Sequence, residues 1–407
     1  MKKRLIHYDL LRIFAAYLIV MLHLSVQYIR QAPASFEAYT QWEYAIAFSA
    51  FSRIGVPIFI MLSGLFLLNP DKNISISAIF TKYLPKIVLL FIAWSFFYAF
   101  AEQDFYRQVW ASDFHFQKCW HDMDQQLFWH SVLRGNYHMW YLYMLAGLYL
   151  ITPFVRIIAA HATKRQFCYF MGLCILITFV TKFNDSLWKL KPLSETLDTL
   201  SLTFAFGYVG YFLAGYFLDK IFSDSASDLA VSQSTEAAAL HDWKTFCQVI
   251  FNKLKQKLDK LNKYAILIYL LGAGAFFFTV AWTVHANPMF GFRFPELILF
   301  SNYSPTVFLM SFAVFTFTAR LKHLQFPRFL RIIAKKLPKY MLLVYMIHPF
   351  FIVEARRGGL LLDSTSAFSL PFNAFIVFLI SLVISIVLQQ IYEGFRRISK
   401  WIIKYIR

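Results

Sequence analysis

Three ionisable residues fall inside the first apolar run of this 407-residue chain: Asp9, Arg12 and His23. A helix turns about 100° per residue, so the eleven-residue step from Arg12 to His23 closes three turns plus roughly 20°. Both side chains therefore leave one face, separated along the axis by about 16 Å. Asp9 lies one turn below Arg12 and is placed to pair with it. The face offers a guanidinium for an anionic group and, well removed from it, an imidazole for proton or group transfer. A ligand with an anionic head and a long thin arm fits that spacing. Coenzyme A, whose pantetheine arm ends in a thioester, is such a ligand. A plainer role fits the same residues, with Asp9 and Arg12 anchoring the helix end and His23 packed in the interior. Other polar groups recur at similar depth in other apolar runs: Arg53 in the second and His348, just before Pro349, in the ninth, while His138 starts the fourth. Charges at membrane depth are costly, so each marks a candidate functional position. Ser63-Gly64 reads instead as a point of close helix packing, because small residues let backbones approach.

The elements that must position these residues are spanning helices. Hydrophobic types make up 59% of the chain and charged types 15%, too little polar surface to cover a soluble globule. Aromatic residues, at 20%, suit interfacial belts. Ten segments are long and apolar enough to span: Leu10–Tyr28, Tyr44–Leu68, Tyr83–Ala101, His138–Ile158, Phe167–Phe183, Thr199–Leu218, Tyr264–Val284, Leu297–Ala319, Pro338–Val353 and Phe368–Tyr392. Lipid cannot satisfy free backbone groups, so runs of this length are helices. The expected fold is all-α: a polytopic membrane protein with about ten transmembrane helices, forming a single domain over residues 1–407. With the N-terminus inside, 28 Lys and Arg fall on the cytoplasmic side and 10 on the other, leaving out Arg12 and Arg53 within spans. That asymmetry places both termini in the cytoplasm.

The net charge of +18 does not point to nucleic acid, because the cations sit in short clusters between apolar runs and no recognition motif joins them. The four cysteines, Cys119, Cys168, Cys174 and Cys247, show no CxxC spacing, so no metal site is expected. Lys2, Lys3 and Arg4 precede an apolar run, but Asp9, Arg12 and His23 interrupt it, which argues against a cleavable signal peptide. Two connections are long. The outer stretch Glu102–Tyr137 carries Trp110, His115, Trp120, His121, Trp129 and His130; it reads as an interfacial segment or as one wall of a sugar site. The inner insertion, residues 219–263, begins Ser- and Ala-rich as a linker and continues as an amphipathic basic helix near Trp243–Leu261, suited to the anionic inner leaflet.

Four elements in order resemble the bacterial acyltransferase-3 family of integral-membrane O-acyltransferases. They are His7-Tyr8-Asp9-Leu10-Leu11-Arg12 with His23; Arg53-Ile54-Gly55-Val56-Pro57 leading to Ser63-Gly64; His138-Met139-Trp140-Tyr141; and Tyr345-Met346-Ile347-His348-Pro349. Where family members often carry Arg-x-x-Arg entering the third span, this chain has Lys82-Tyr83-Leu84-Pro85-Lys86, which keeps the charge and loses the bidentate fork. The resemblance implies a multi-pass protein of the bacterial cytoplasmic (inner) membrane. The implied reaction moves an acyl group, usually acetyl, from acetyl-CoA as co-substrate to a hydroxyl of an extracytoplasmic or lipid-linked polysaccharide sugar. His23 would be general base or transient acyl carrier, and Arg53 would stabilise the oxyanion or orient the thioester. Asp9, Arg12, Lys82 and Lys86 would serve the donor's phosphates, and His138, Trp140, Tyr141 and His348 the acceptor. The residues alone leave two other readings open: a sugar transporter or flippase using His23, Arg53 and His348 as a path, and a non-catalytic partner of an envelope synthase.

Overall fold

The computed structural model describes residues 4–30, 35–72, 74–104, 120–121, 123–184, 190–199, 207–224, 263–289, 299–322, 324–361 and 367–406. Among these the ordered elements are helices: α1 (Ile6–Ile29), α2 (Phe36–Ser52), α3 (Gly55–Leu67), α4 (Leu84–Glu102), α5 (Gln125–Arg134), α6 (Trp140–His161) and α7 (Lys164–Phe183). They continue with α8 (Lys191–Thr199), α9 (Tyr208–Asp224), α10 (Lys263–Met289), α11 (Pro305–Ala319), α12 (Arg328–Lys336), α13 (Met341–Arg357) and α14 (Ser369–Ile406). Every expected apolar segment overlaps one of these helices, although residues 200–206 of the sixth and 297–298 of the eighth lie outside the described residues. Seven stretches are long and apolar enough to cross a membrane: Ile6–Ile29, Ala38–Leu67, Ile76–Glu102, Gln125–His161, Tyr264–His285, Arg328–Arg357 and Ser369–Ser399. α11 is apolar but shorter. α7 carries Lys164, Arg165 and Lys182, and α9 carries Asp219 and Lys220 in its second half. Large apolar side chains such as Leu89, Phe154, Leu270, Phe277 and Phe395 are more than half exposed, as lipid-facing positions require. Most of the inner insertion, residues 225–262, lies outside the described residues, as do Trp110 and His115 of the outer stretch.

The chain forms two compact units, residues 1–66 with 162–407 and residues 67–161. In the first, α1 packs against α2, α11, α12, α13 and α14. A helix becomes a hub of this kind when it is apolar around its circumference, and Leu11, Ala15, Leu18, Ile19 and Leu22 are all buried. The second expected span is not one straight helix. α2 ends at Ser52, Arg53 and Ile54 form a turn, and α3 restarts at Gly55. Pro57 has no N–H for the carbonyl of Arg53 four residues earlier, and its ring crowds that carbonyl, so the helix breaks there. Gly55 permits the restart to lie against α1: a Cβ on it would stand 2.9 Å from Ile19 Cγ1 and 3.1 Å from the Ala15 carbonyl oxygen.

The close approach expected at Ser63-Gly64 is present. A Cβ on Gly64 would lie 1.7 Å from the carbonyl oxygen of Phe212, and one on Gly215 would lie 1.8 Å from that of Met61, so α3 and α9 touch backbone to backbone. The Ser63 hydroxyl donates to Phe59 O at 2.9 Å and serves its own helix. Gly64→Ala has no flexible neighbour to push aside. It is expected to lower the thermal midpoint of the detergent-purified protein and the amount recovered, while Ser63→Ala leaves both near wild type.

In the second unit α4 packs against α5 and α6. Phe128 is buried against Ala99 and Met123, which fixes α5 on the end of α4. The Arg156 guanidinium donates to the carbonyls of Leu67 at 2.5 Å and Asn69 at 3.0 Å, and also to that of Lys72. That contact ties the segment leaving α3 to α6.

Candidate functional site

The first unit brings His23 and His348 together. Their ring centroids lie 5.1 Å apart with the planes inclined by 36°, although 325 residues separate them in sequence. His348 is fully buried, whereas His23 is partly accessible. The Tyr-x-x-His-Pro order explains how His348 is held. Pro349 has no N–H for the carbonyl of Tyr345, and His348 Nδ1 lies 2.8 Å from that oxygen and 3.3 Å from Val344 O. A carbonyl only accepts, so Nδ1 carries the hydrogen and the lone pair falls on Nε2. The His348 ring is thus fixed beside His23 in one tautomer.

Along α1 toward its start lies the anchor. Arg12 Nη1 is 3.8 Å from Asp9 Oδ1, as the spacing predicts, but Asp9 holds a closer cation. Arg4 Nε donates to Asp9 Oδ2 at 2.6 Å, and its Nη2 donates to Ala334 O at 2.8 Å. With Asp9 engaged more strongly by Arg4, the Arg12 guanidinium rests over the Phe66 ring at 5.3 Å, its side chain 28% exposed. Next to Asp9, the Tyr8 hydroxyl donates to Asp219 Oδ1 at 2.7 Å and its ring stacks on Phe315 at 5.3 Å. Arg53 sits at the break between α2 and α3, its guanidinium 5.1 Å from the centre of the Phe300 ring. Gly55 abuts Ala15 and Ile19, and α3 runs opposite to α1. Arg53, about 3 Å back along the chain axis, therefore stands level with the turn between Ile19 and His23.

The remaining candidates belong to the second unit. Lys82 and Lys86 are exposed, one helical turn apart, with Lys82 in a π-helical turn (Ile79–Tyr83). His138 is fully buried and Tyr141 nearly so, while Trp140 is 36% exposed. His138 Nδ1 lies 2.9 Å from Asn136 Oδ1, and Asn136 donates to Glu102 Oε1 at 2.9 Å, forming a chain from α4 to the start of α6. Sequence reasoning missed Arg4, which counted as a loop cation; its place one turn before Asp9 was the available signal. Glu102 and Asn136 carried no signal, because their contact to His138 arises from the return of the chain between α4 and α6.

Seven apolar stretches long enough to cross a membrane, with helices as the ordered elements of the described residues, define a multi-pass membrane protein whose first unit joins His23 to His348 and carries Arg12 about three turns earlier on α1. The family model described as an acyltransferase domain matches residues 5–390, and the chain belongs to this family, the acyltransferase-3 family. No curated protein and no solved structure matches the chain.

Proposed function

We propose that the protein transfers an acyl group, most simply acetyl, from acyl-CoA to a hydroxyl of an extracytoplasmic or lipid-linked polysaccharide sugar. The observation that carries this reading is the contact of His348 with His23, which shares an α1 face with Arg12, within a chain of an acyltransferase family. His23 accepts the proton of the acceptor hydroxyl as its oxygen attacks the thioester carbonyl. The carbon–sulfur bond breaks, and the imidazolium returns the proton to the departing thiolate. In the acyl-carrier version His23 takes the acyl group first and the hydroxyl then displaces it. His348, fixed in one tautomer, orients the His23 ring, and the Arg53 guanidinium stabilises the oxyanion as it develops. Arg12 holds a donor phosphate; in the second unit, taken by itself, Lys82 and Lys86 offer charge and Trp140 and Tyr141 offer rings, the roles the family resemblance implies for them.

The proposed setting is the bacterial inner membrane, with about ten spans, both termini in the cytoplasm and residues 219–263 as a cytoplasmic insertion, on the strength of the 28-to-10 split of cations. A cysteine placed at Asp113 in a cysteine-free background is expected to react with an impermeant maleimide in intact cells. One placed at Ser225 is expected to react only after permeabilisation, and labelling at Ser225 in intact cells would reverse the orientation.

Arg12→Ala is expected to raise the acetyl-CoA KM more than it lowers kcat, because a phosphate contact is alike in ground and transition states. Arg12→Lys recovers part of the affinity, since a point charge lacks the guanidinium fork. The break at Arg53 favours a second reading, transport, because interrupted helices line substrate paths in transporters. Purified protein that releases CoA thiol from acetyl-CoA only when a sugar acceptor is present supports acyl transfer. Sugar movement across vesicles without any CoA dependence supports transport instead.

A further inference from the structure

We infer that Tyr269, Thr316 and Arg320 form a phosphate-binding site between α10 and α11, apart from the His23–His348 pair. The inference starts from a departure in side-chain behaviour. The neighbouring buried hydroxyls of α10 and α11 turn back onto their own carbonyls: on α11, Ser311 Oγ donates to Val307 O at 2.6 Å and Thr318 Oγ1 to Val314 O at 2.9 Å. Thr279 and Thr283 on α10 do the same. Thr316 lies between Ser311 and Thr318 and is fully buried, yet its Oγ1 has no hydrogen-bond partner. Four residues on, and so on the same helix face, Arg320 buries Nη1 without a partner, and no ion pair to Arg320 is found among the described residues.

α10 supplies the third group. Gly272 marks where the two helices are closest, for a Cβ there would lie 2.5 Å from Ala313 Cβ and 3.2 Å from Leu309 O. The helices run antiparallel, so Tyr269, one turn before Gly272, faces the turn of α11 that follows Ala313. Its ring stands edge-on to Phe317, centroids 6.4 Å apart, and its hydroxyl, also buried and without a partner, lies within the electrostatic reach of Arg320. Three buried donors, one of them cationic, thus share one end of the α10–α11 pair with no acceptor. Unpaired buried polar groups are costly, and a guanidinium with two hydroxyls matches the oxygens of a phosphate ester. Arg320 caps the C-terminus of α11 and Tyr269 lies about 9 Å along α10 from its start, so the site is at headgroup depth. Two phosphate esters reach that depth: a membrane phospholipid and the phosphate-bearing end of a soluble nucleotide.

The test is direct binding to the full-length protein in nanodiscs, read independently of acyl transfer, so its failure and that of the acyltransferase reading are separable. One arm titrates adenosine 3′,5′-bisphosphate in neutral-lipid discs; the other measures retention of phosphatidylglycerol by native mass spectrometry. Arg320→Gln is expected to weaken the responding arm by at least about tenfold, and the shape-preserving Thr316→Val and Tyr269→Phe several-fold each. Arg320→Lys, which keeps the charge, recovers part of the loss. Dependence confined to the first arm identifies a nucleotide phosphate, and dependence confined to the second a lipid phosphate. If all three variants keep their melting temperature and bind both probes as the wild type does, the inference is overturned. It is equally overturned if Thr316→Val and Tyr269→Phe stabilise the protein while binding is unchanged, since the hydroxyls are then merely buried.

Discussion

His23→Ala is expected to abolish acyl transfer while the protein still inserts and accumulates. The side chain is partly accessible, and its ring packs on His348, 5.1 Å away. Its removal opens space beside the buried His348 imidazole. The loss should lie in kcat at saturating acetyl-CoA, because neither a general base nor an acyl carrier has a substitute at that position. General-base removal alone is worth about 10²–10⁴-fold. His348→Gln, which keeps a hydrogen-bonding group of similar reach, should fall between wild type and His23→Ala, as expected of a group that orients another. Activity of His23→Ala equal to wild type in a properly inserted protein would remove His23 from the chemistry.

Arg53→Ala is the second large expected loss, about 10²–10³ in kcat with little change in either KM. The placement argues for this. The guanidinium is carried at a helix interruption, and it stands at the depth of the His23 turn. A helix break inside a span is retained where it serves a polar interior. Arg53→Lys should restore only a fraction, because a single ammonium cannot present two parallel donors to an oxygen. A residual rate within about twofold of wild type in Arg53→Ala would rule out oxyanion stabilisation. Since Arg53 also lies against Phe300, its midpoint of thermal unfolding must be compared beside the kinetics.

What was legible in the sequence was what one helix contains. Arg12, Asp9 and His23 share α1, and the 3.6-residue period alone places them on one face. The helical class and the apolar segments were equally readable, because lipid leaves the backbone no other way to satisfy itself. What chain returns create was not readable. His23 meets His348 through the packing of α13 on α1, and no periodicity links positions 325 residues apart. The hint was local chemistry: a proline directly after a histidine frees a carbonyl for that histidine's own ring, which fixes its orientation. The interruption at Arg53 had a similar hint in Gly55 and Pro57, which a hydropathy window smooths over. Arg4 reads in the sequence as a topogenic cation, yet it lies closer to Asp9 than Arg12 does, at 2.6 Å against 3.8 Å.

The central claim is that an acyl group leaves a CoA thioester and reaches a sugar hydroxyl by way of His23. It is tested most directly by reconstituting the protein in proteoliposomes with acetyl-CoA labelled in the acetyl group and a polysaccharide acceptor. The label is then recovered from the glycan as a base-labile ester. The account predicts label in the glycan with the wild-type protein, in proportion to CoA thiol released, and none above background with inserted His23→Ala. Label reaching the glycan equally with His23→Ala, or CoA-independent passage of the glycan with no ester formed, would contradict it.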